Sequence, residues 1–233
     1  AMSGRSICVY CGANPGNDPV YAATAAELGR AIGAAGDRLV FGGSRVGLMG
    51  ILADATLAAG GTVLGVLPQH LEDREIAHTG LTELVITDSM HTRKAVMAEH
   101  ADGFVALPGG FGTLDETIEV LTWNQIGTLA KPVAFLDVNG YYESLFRFFD
   151  DAVAAGLLMP AHRATAQRAT SVAEAVAIAT GPAPANVSKW TDPTVKDLIV
   201  PGADDPEPTH VPAGVTRGWR SGCGRSGRWR GGG

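Results

Sequence analysis

The 233-residue chain predicts an α/β fold, a Rossmann-like doubly wound parallel sheet, and three observations carry that expectation. Short continuous apolar runs recur along it, stretches of helical spacing lie between them, and glycine-rich turns stand where runs give way to helices. A continuous run suits a strand covered on both faces, the condition of parallel strands flanked by helices. Alternation of strand and helix implies right-handed crossovers, with ligands bound beyond the carboxyl ends of the strands.

Taken in order, the first run is residues 7–10, Ile-Cys-Val-Tyr, followed by helical spacing over 20–35. Residues 39–41 form the second run, with a helix expected over 48–59, and 63–67 form the third. The fourth, 84–86, leads into a helix at 90–100; the fifth, 104–107, into one at 114–125; the sixth, 133–136, into one at 141–155. A last helix is expected over 171–179, before Gly181-Pro182-Ala183-Pro184 stops the pattern. One nucleotide-binding and catalytic domain is therefore expected over residues 1–181. Residues 182–233, rich in Pro, Gly and charge, are expected to form a low-complexity, disordered tail.

Composition narrows the function classes. At 45% hydrophobic and 18% charged, the chain can bury one substantial core. No apolar run approaches the roughly 20 residues that span a bilayer. The net charge of −6 conceals an asymmetry: residues 211–233 hold five of the 18 basic side chains and no acid, leaving 13 against 24 acidic groups before them. Such a body argues against a nucleic-acid partner, since that affinity comes largely from Lys and Arg on phosphates. The tail interleaves Arg with Trp in a way that suits base stacking, although an inert extension is the simpler expectation. Cys8, Cys11 and Cys223 make no disulfide framework, and no charged segment followed by an apolar one opens the chain. A reduced, cytoplasmic protein is expected. Cys8-Val-Tyr-Cys11 has C-x-x-C spacing, but its first cysteine lies inside a predicted strand and not at a helix start, and it reads as a buried thiol. The six histidines show no zinc-ligand spacing, so no metal is expected.

The sharpest local signal is Pro108-Gly109-Gly110-Phe111-Gly112-Thr113-Leu114-Asp115-Glu116, directly after the fifth run. Its glycines permit close backbone approach, and amides at a helix start favour an anion such as phosphate. It is neither a dinucleotide fingerprint nor a P-loop, because Asp115 stands where the third glycine would fall and no Gly-Lys-Ser/Thr follows. Thr113 and Glu116 have capping-box spacing, and Asp115 and Glu116 would complement a helix dipole in a first turn. Spacing alone favours the cap for both. Position favours a carboxylate near a nucleotide's sugar.

A second cluster, Gly42-Gly43-Ser44-Arg45-Val46-Gly47-Leu48-Met49-Gly50, also joins a strand to a helix, and Gly42, Gly43, Ser44 and Gly109 are candidates for holding phosphate. A tight turn in which Gly47 and Gly50 serve packing is an equal reading. Cys11-Gly12-Ala13-Asn14 is a weaker third loop. In Met90-His91-Thr92-Arg93-Lys94, two cations fall near a helix start, against the dipole, which hints at a clamp for phosphate or a leaving group, although a solvated basic face is the commoner reading. Met97 is expected in the core, and Glu75 reads locally as an ordinary surface acid.

Together these motifs resemble the Lonely Guy family, cytokinin riboside 5'-monophosphate phosphoribohydrolases formerly labelled as lysine decarboxylases. The similarity runs from about residue 6 to 180. The resemblance implies hydrolysis of the N-glycosidic bond of N6-substituted adenosine monophosphates, without metal or organic cofactor, by a homodimer. It implies Glu116 and Arg93 as the catalytic pair. Substrate contacts would come from Glu75, Arg93, Lys94, Gly110, Phe111, Gly112, Thr113, Leu114, Asp115, Glu116 and Thr122. Six helical positions separate Thr122 from Glu116, so it faces another direction or serves a neighbouring subunit. The chain departs from the family pattern at Ser44, where Gly is usual, at Asp115, where Glu is commoner, and at Ala13, where Ser is common. Two rivals stay open: a broader nucleoside-monophosphate glycosidase acting on AMP, and a noncatalytic nucleotide-binding or carrier module.

Overall fold

A computed structural model describes residues 4–72 and 76–185. Among them, seven parallel strands form one sheet in the order β4-β3-β2-β1-β5-β6-β7. The strands are β1 Ser6–Tyr10, β2 Arg38–Phe41, β3 Thr62–Pro68, β4 Glu83–Thr87, β5 Gly103–Ala106, β6 Val133–Leu136 and β7 Ala166–Ala169. The helices are α1 Pro19–Ala34, α2 Gly47–Ala58, α3 Gln69–Glu72, α4 Met90–Glu99, α5 Phe111–Ile126, α6 Glu143–Ala154, α7 Pro160–Arg163 and α8 Val172–Ala179.

The six predicted strands are all present, and the seventh, Ala-Gln-Arg-Ala at the sheet edge, was not foreseen. Its middle residues are polar and only its ends are buried, so it carries no apolar run. The predicted helices are present, α4 with its expected start at Met90 and the others with starts shifted by one to three residues. α5 begins at Phe111, three residues before the expected Leu114, because Gly110 already serves as its N-cap. α6 begins at Glu143 and not at Tyr141, because a 3-10 turn, Val138–Gly140, precedes it with Asn139 at φ 52°. Residues 186–233, including most of the expected tail, its Arg and Trp residues and Cys223, lie outside the described residues.

Successive side chains of a strand face opposite ways, and each face has its own core. Ile7, Val9, Leu39 and Phe41 pack beneath α1, α2 and α8, with Leu28, Ile32 and Leu52. On the other face, Cys8, Tyr10, Val66 and Phe104 pack with Met97, Val120 and Phe146 of α4, α5 and α6. Met97 is fully buried, as expected. Both Cys8 and Cys11 are buried free thiols, and burial pushes their pKa values up.

Strand order decides where a ligand can go. β1 is flanked by β2 on one side and β5 on the other, so chain direction across the sheet reverses there. Loops diverge at such a switch point and leave a crevice beyond the carboxyl ends.

Candidate active site

That crevice is a cavity of about 650 Å³. Gly12, Asn14 and Gly16 of the loop after β1 line it, with Gly42 and Ser44 after β2 and Pro108, Gly109 and Gly110 after β5. The first and third loops are tied together by the Gly12 amide, which donates to the Pro108 carbonyl at 3.1 Å.

Arg93 and Glu116 meet within this cavity wall, from α4 and α5. Arg93 is 7% exposed and Glu116 9%, so their ion pair is shielded from water. The Arg93 Nη1 donates to Glu116 Oε1, while Nε donates to the Val66 carbonyl at 3.0 Å, fixing the guanidinium from two sides. Gly42 makes room for it: a Cβ there would stand 2.3 Å from Nη2 and 3.0 Å from the Met49 sulfur. Burial raises the Glu116 pKa above the ordinary 4.5, against the opposing pull of Arg93.

The capping expectation for Thr113 and Glu116 is overturned. Gly110 is the N-cap of α5, no side chain caps that end, and no acid lies in the first turn. Glu116 is instead one and a half turns into the helix, turned onto Arg93. Thr113 is buried below the glycine turn, where its hydroxyl would lie 2.1 Å from a Cβ on Gly109. The first amides of a helix have no intrahelical acceptor, so with no side-chain cap those of α5 are left for an anion at the cavity.

The other candidates divide. Gly109, Gly110, Gly112 and Thr113 line the cavity with Arg93 and Glu116, and so do Gly42 and Ser44. Ser44 is buried, and its hydroxyl accepts from the Val46 amide at 3.3 Å. Gly43 turns the chain at φ 75°, and its carbonyl accepts from the His78 amide at 3.0 Å. Lys94 does not line this cavity; its ammonium group lies 2.9 Å from Glu119 and 3.2 Å from Asp115, bracing α4 against α5. Phe111 is 94% exposed, and Leu114 packs against the core beneath α5. Thr122 is exposed and faces a separate groove of about 110 Å³ with Leu121, Phe149 and His162. Glu75 lies outside the described residues.

A family model described as possible lysine decarboxylase matches residues 49–179. The cytokinin riboside 5'-monophosphate phosphoribohydrolase of Rhodococcoides fascians is 49% identical over 160 residues, covering 68% of this chain and 81% of that one. An enzyme of the same name from Arabidopsis thaliana is 45% identical over 172 residues, 74% of this chain and 81% of its own. The chain belongs to this phosphoribohydrolase family. Among solved structures, the molybdenum cofactor carrier protein of Chlamydomonas reinhardtii aligns with a TM-score of 0.56 at 26% identity, over 75% of this chain and 94% of that one. The molybdenum cofactor binding protein of Rippkaea orientalis shares the fold, with a TM-score of 0.57 at 22% identity over 76% and 95%.

For a phosphoribohydrolase family member, the cavity also shows what sequence reading missed. Leu67, Leu71, Ile76 and Met90 add apolar lining to it, and Tyr21 and Tyr141 add two aromatic rings. Tyr141 follows a strand's carboxyl end, which was a usable signal, but the expected helix start at residue 141 concealed it. Among the described residues, no group of three or more His, Cys, Asp or Glu is placed to hold a metal ion, and no helix is long and apolar enough to cross a membrane.

Proposed function

We propose that this chain hydrolyses the N-glycosidic bond of N6-substituted adenosine 5'-monophosphates, releasing the free base and ribose 5-phosphate. The observation that carries the reading is the buried Arg93–Glu116 pair in the wall of a cavity lined by both glycine turns and apolar side chains. In this reading the glycine turns after β1 and β5 hold phosphate and ribose, and Leu67, Leu71, Ile76 and Met90 take the base with its N6 substituent.

In the reaction the C1'–N9 bond breaks, its electron pair leaves with the base, and a water oxygen bonds to C1'. Positive charge develops on the ribose, where the Glu116 carboxylate stabilises it and orients the water. One proton from that water passes to the departing base. Arg93 holds Glu116 in place and has N–H groups left over for phosphate or leaving base.

The carrier reading draws on fold likeness to molybdenum cofactor proteins, but the curated relatives at 45–49% identity are named as hydrolases. We further infer a homodimer, in which Thr122, away from its own chain's cavity, lies near the subunit interface. Light scattering of the purified chain tests that. The activity test is incubation with isopentenyladenosine monophosphate, AMP and the corresponding dephosphorylated ribosides, with chromatography for released base. Release from the prenylated nucleotide is expected. Equal release from AMP favours the broader glycosidase, and no release from any nucleotide favours the carrier.

A further inference from the structure

Three consecutive carbonyls leading into the glycine turn are each held by a donor from elsewhere in the fold. The Tyr142 hydroxyl donates to the Leu107 carbonyl at 2.6 Å, the Gly12 amide to Pro108 at 3.1 Å, and the Tyr141 hydroxyl to Gly109 at 2.7 Å. Both tyrosines come from the segment between β6 and α6, which has no part in the motif itself.

The third bond bears most directly on ligand binding. In a trans peptide the C=O and the following N–H point in opposite directions across one plane. Holding the Gly109 carbonyl therefore fixes the direction of the Gly110 amide, at the N-cap of α5 and on the cavity lining. Glycine on both sides of that peptide leaves it free to rotate unless something outside holds it. A Cβ on Gly110 would meet nothing within 4 Å, whereas one on Gly109 would crowd Thr113 and Gly12, so packing bounds this peptide on its Gly109 side and leaves the Gly110 side open.

The Tyr141 ring is itself positioned. It meets Tyr21 edge-on, with centroids 5.8 Å apart and planes at 77°, and Tyr142 at 5.1 Å and 88°. At 43% exposure it is too open to be a core side chain, and burial does not account for its placement. Tyr142, by contrast, is 2% exposed and packs on Phe135.

We propose that Tyr141 is a positioning residue that aims the Gly110 amide at the substrate phosphate by holding the Gly109 carbonyl. This rests on the glycine turn being the phosphate cradle of the hydrolase proposed above. The role is confined to the phosphate, so phosphate-free ligands do not feel it.

The test is Tyr141→Phe in the full chain, which keeps the ring against Tyr21 and removes the hydroxyl. Calorimetry with ribose 5-phosphate, and with adenosine as the phosphate-free probe, is run beside steady-state kinetics. Losing one neutral hydrogen bond corresponds to a change of about three- to tenfold. Ribose 5-phosphate affinity is expected to fall by that factor and KM for the nucleotide to rise with it, while kcat and adenosine affinity stay within twofold of wild type. Unchanged ribose 5-phosphate affinity overturns the proposal. Equal weakening of adenosine also overturns it, since that marks a general structural loss, and so does failure of the wild type to bind ribose 5-phosphate. A wild type that binds ribose 5-phosphate but cleaves no nucleotide refutes the hydrolase reading, while the calorimetric comparison still decides the role of Tyr141.

Discussion

Arg93 and Glu116, 23 positions apart, form an ion pair whose two side chains are about one-tenth exposed, and the Val66 carbonyl holds the same guanidinium from β3. Three elements therefore fix one charged pair. Replacing the carboxylate while keeping its shape isolates its charge. Glu116→Gln is expected to lower kcat by roughly 100- to 1,000-fold, the range for removing one group that stabilises transition-state charge, and to leave AMP affinity nearly intact. Single-turnover release of base, measured beside calorimetric binding, checks this. Near-normal turnover overturns the role given to Glu116.

Arg93→Ala acts on the same pair with a different signature. It leaves Glu116 buried without its cation, so a loss of about 3 kcal/mol of stability accompanies the loss of activity. Urea denaturation at pH 7 measures it. Lowering the pH should restore part of that loss, because the orphaned carboxyl then takes up a proton.

Gly42→Ala reaches Arg93 without touching its charge. The new methyl would stand 2.3 Å from Nη2, so the guanidinium must leave its place between Val66 and Glu116. Misplacing a catalytic group by about 1 Å costs on the order of 100-fold in rate. We expect a folded protein with kcat/KM reduced on that scale, checked by kinetics with circular dichroism as the control for folding. Wild-type activity in this variant means that Arg93 need not stay where the structure puts it.

The pH dependence follows from the raised Glu116 pKa. Burial shifts it above 4.5, although Arg93 pulls the other way. An acid whose folded pKa is raised takes up protons more readily folded than unfolded between the two values. Its contribution to stability is therefore fully present below the unfolded pKa and is lost as pH rises through the folded one. Under the proposed role activity has the opposite sense, since that role needs the carboxylate ionised. The acid limb of kcat/KM should lie above the ordinary carboxylate range, and residual activity in Glu116→Gln should lack that limb.

Much of this site was legible because its chemistry is local. Residues 108–116 announce a turn, a helix start and a carboxylate within nine positions, and six apolar runs suffice to place that turn at a strand end. What spacing could not decide was where Glu116 points. Thr-x-x-Glu is equally a cap and a helix interior, and the matter turns on Gly110 taking the N-cap and on Arg93 arriving from α4. Lys94 illustrates the same limit, for its partners Asp115 and Glu119 lie more than 20 positions away. Strand β7 stayed hidden because only its two end residues are buried.

Two glycines of the same turn offer the cleanest separation of fold from ligand binding. A Cβ on Gly109 would lie 2.1 Å from the Thr113 hydroxyl and 2.9 Å from the Gly12 amide, both part of the packed turn. Gly109→Ala is therefore expected to unfold or distort the turn and to lower the melting temperature. A Cβ on Gly112 would meet nothing within 4 Å, and Gly112 sits in the first turn of α5 at the cavity. Alanine is the better helix former by up to about 1 kcal/mol, so Gly112→Ala should keep or slightly raise stability. In the proposed cradle its methyl group would still stand where phosphate approaches the helix amides. KM for the nucleotide is expected to rise at least about tenfold, the effect of losing one charge-assisted hydrogen bond, while adenosine binding is unchanged. Thermal denaturation and steady-state kinetics on the two variants check the contrast. A Gly112→Ala enzyme with wild-type KM removes the α5 amides from the phosphate site.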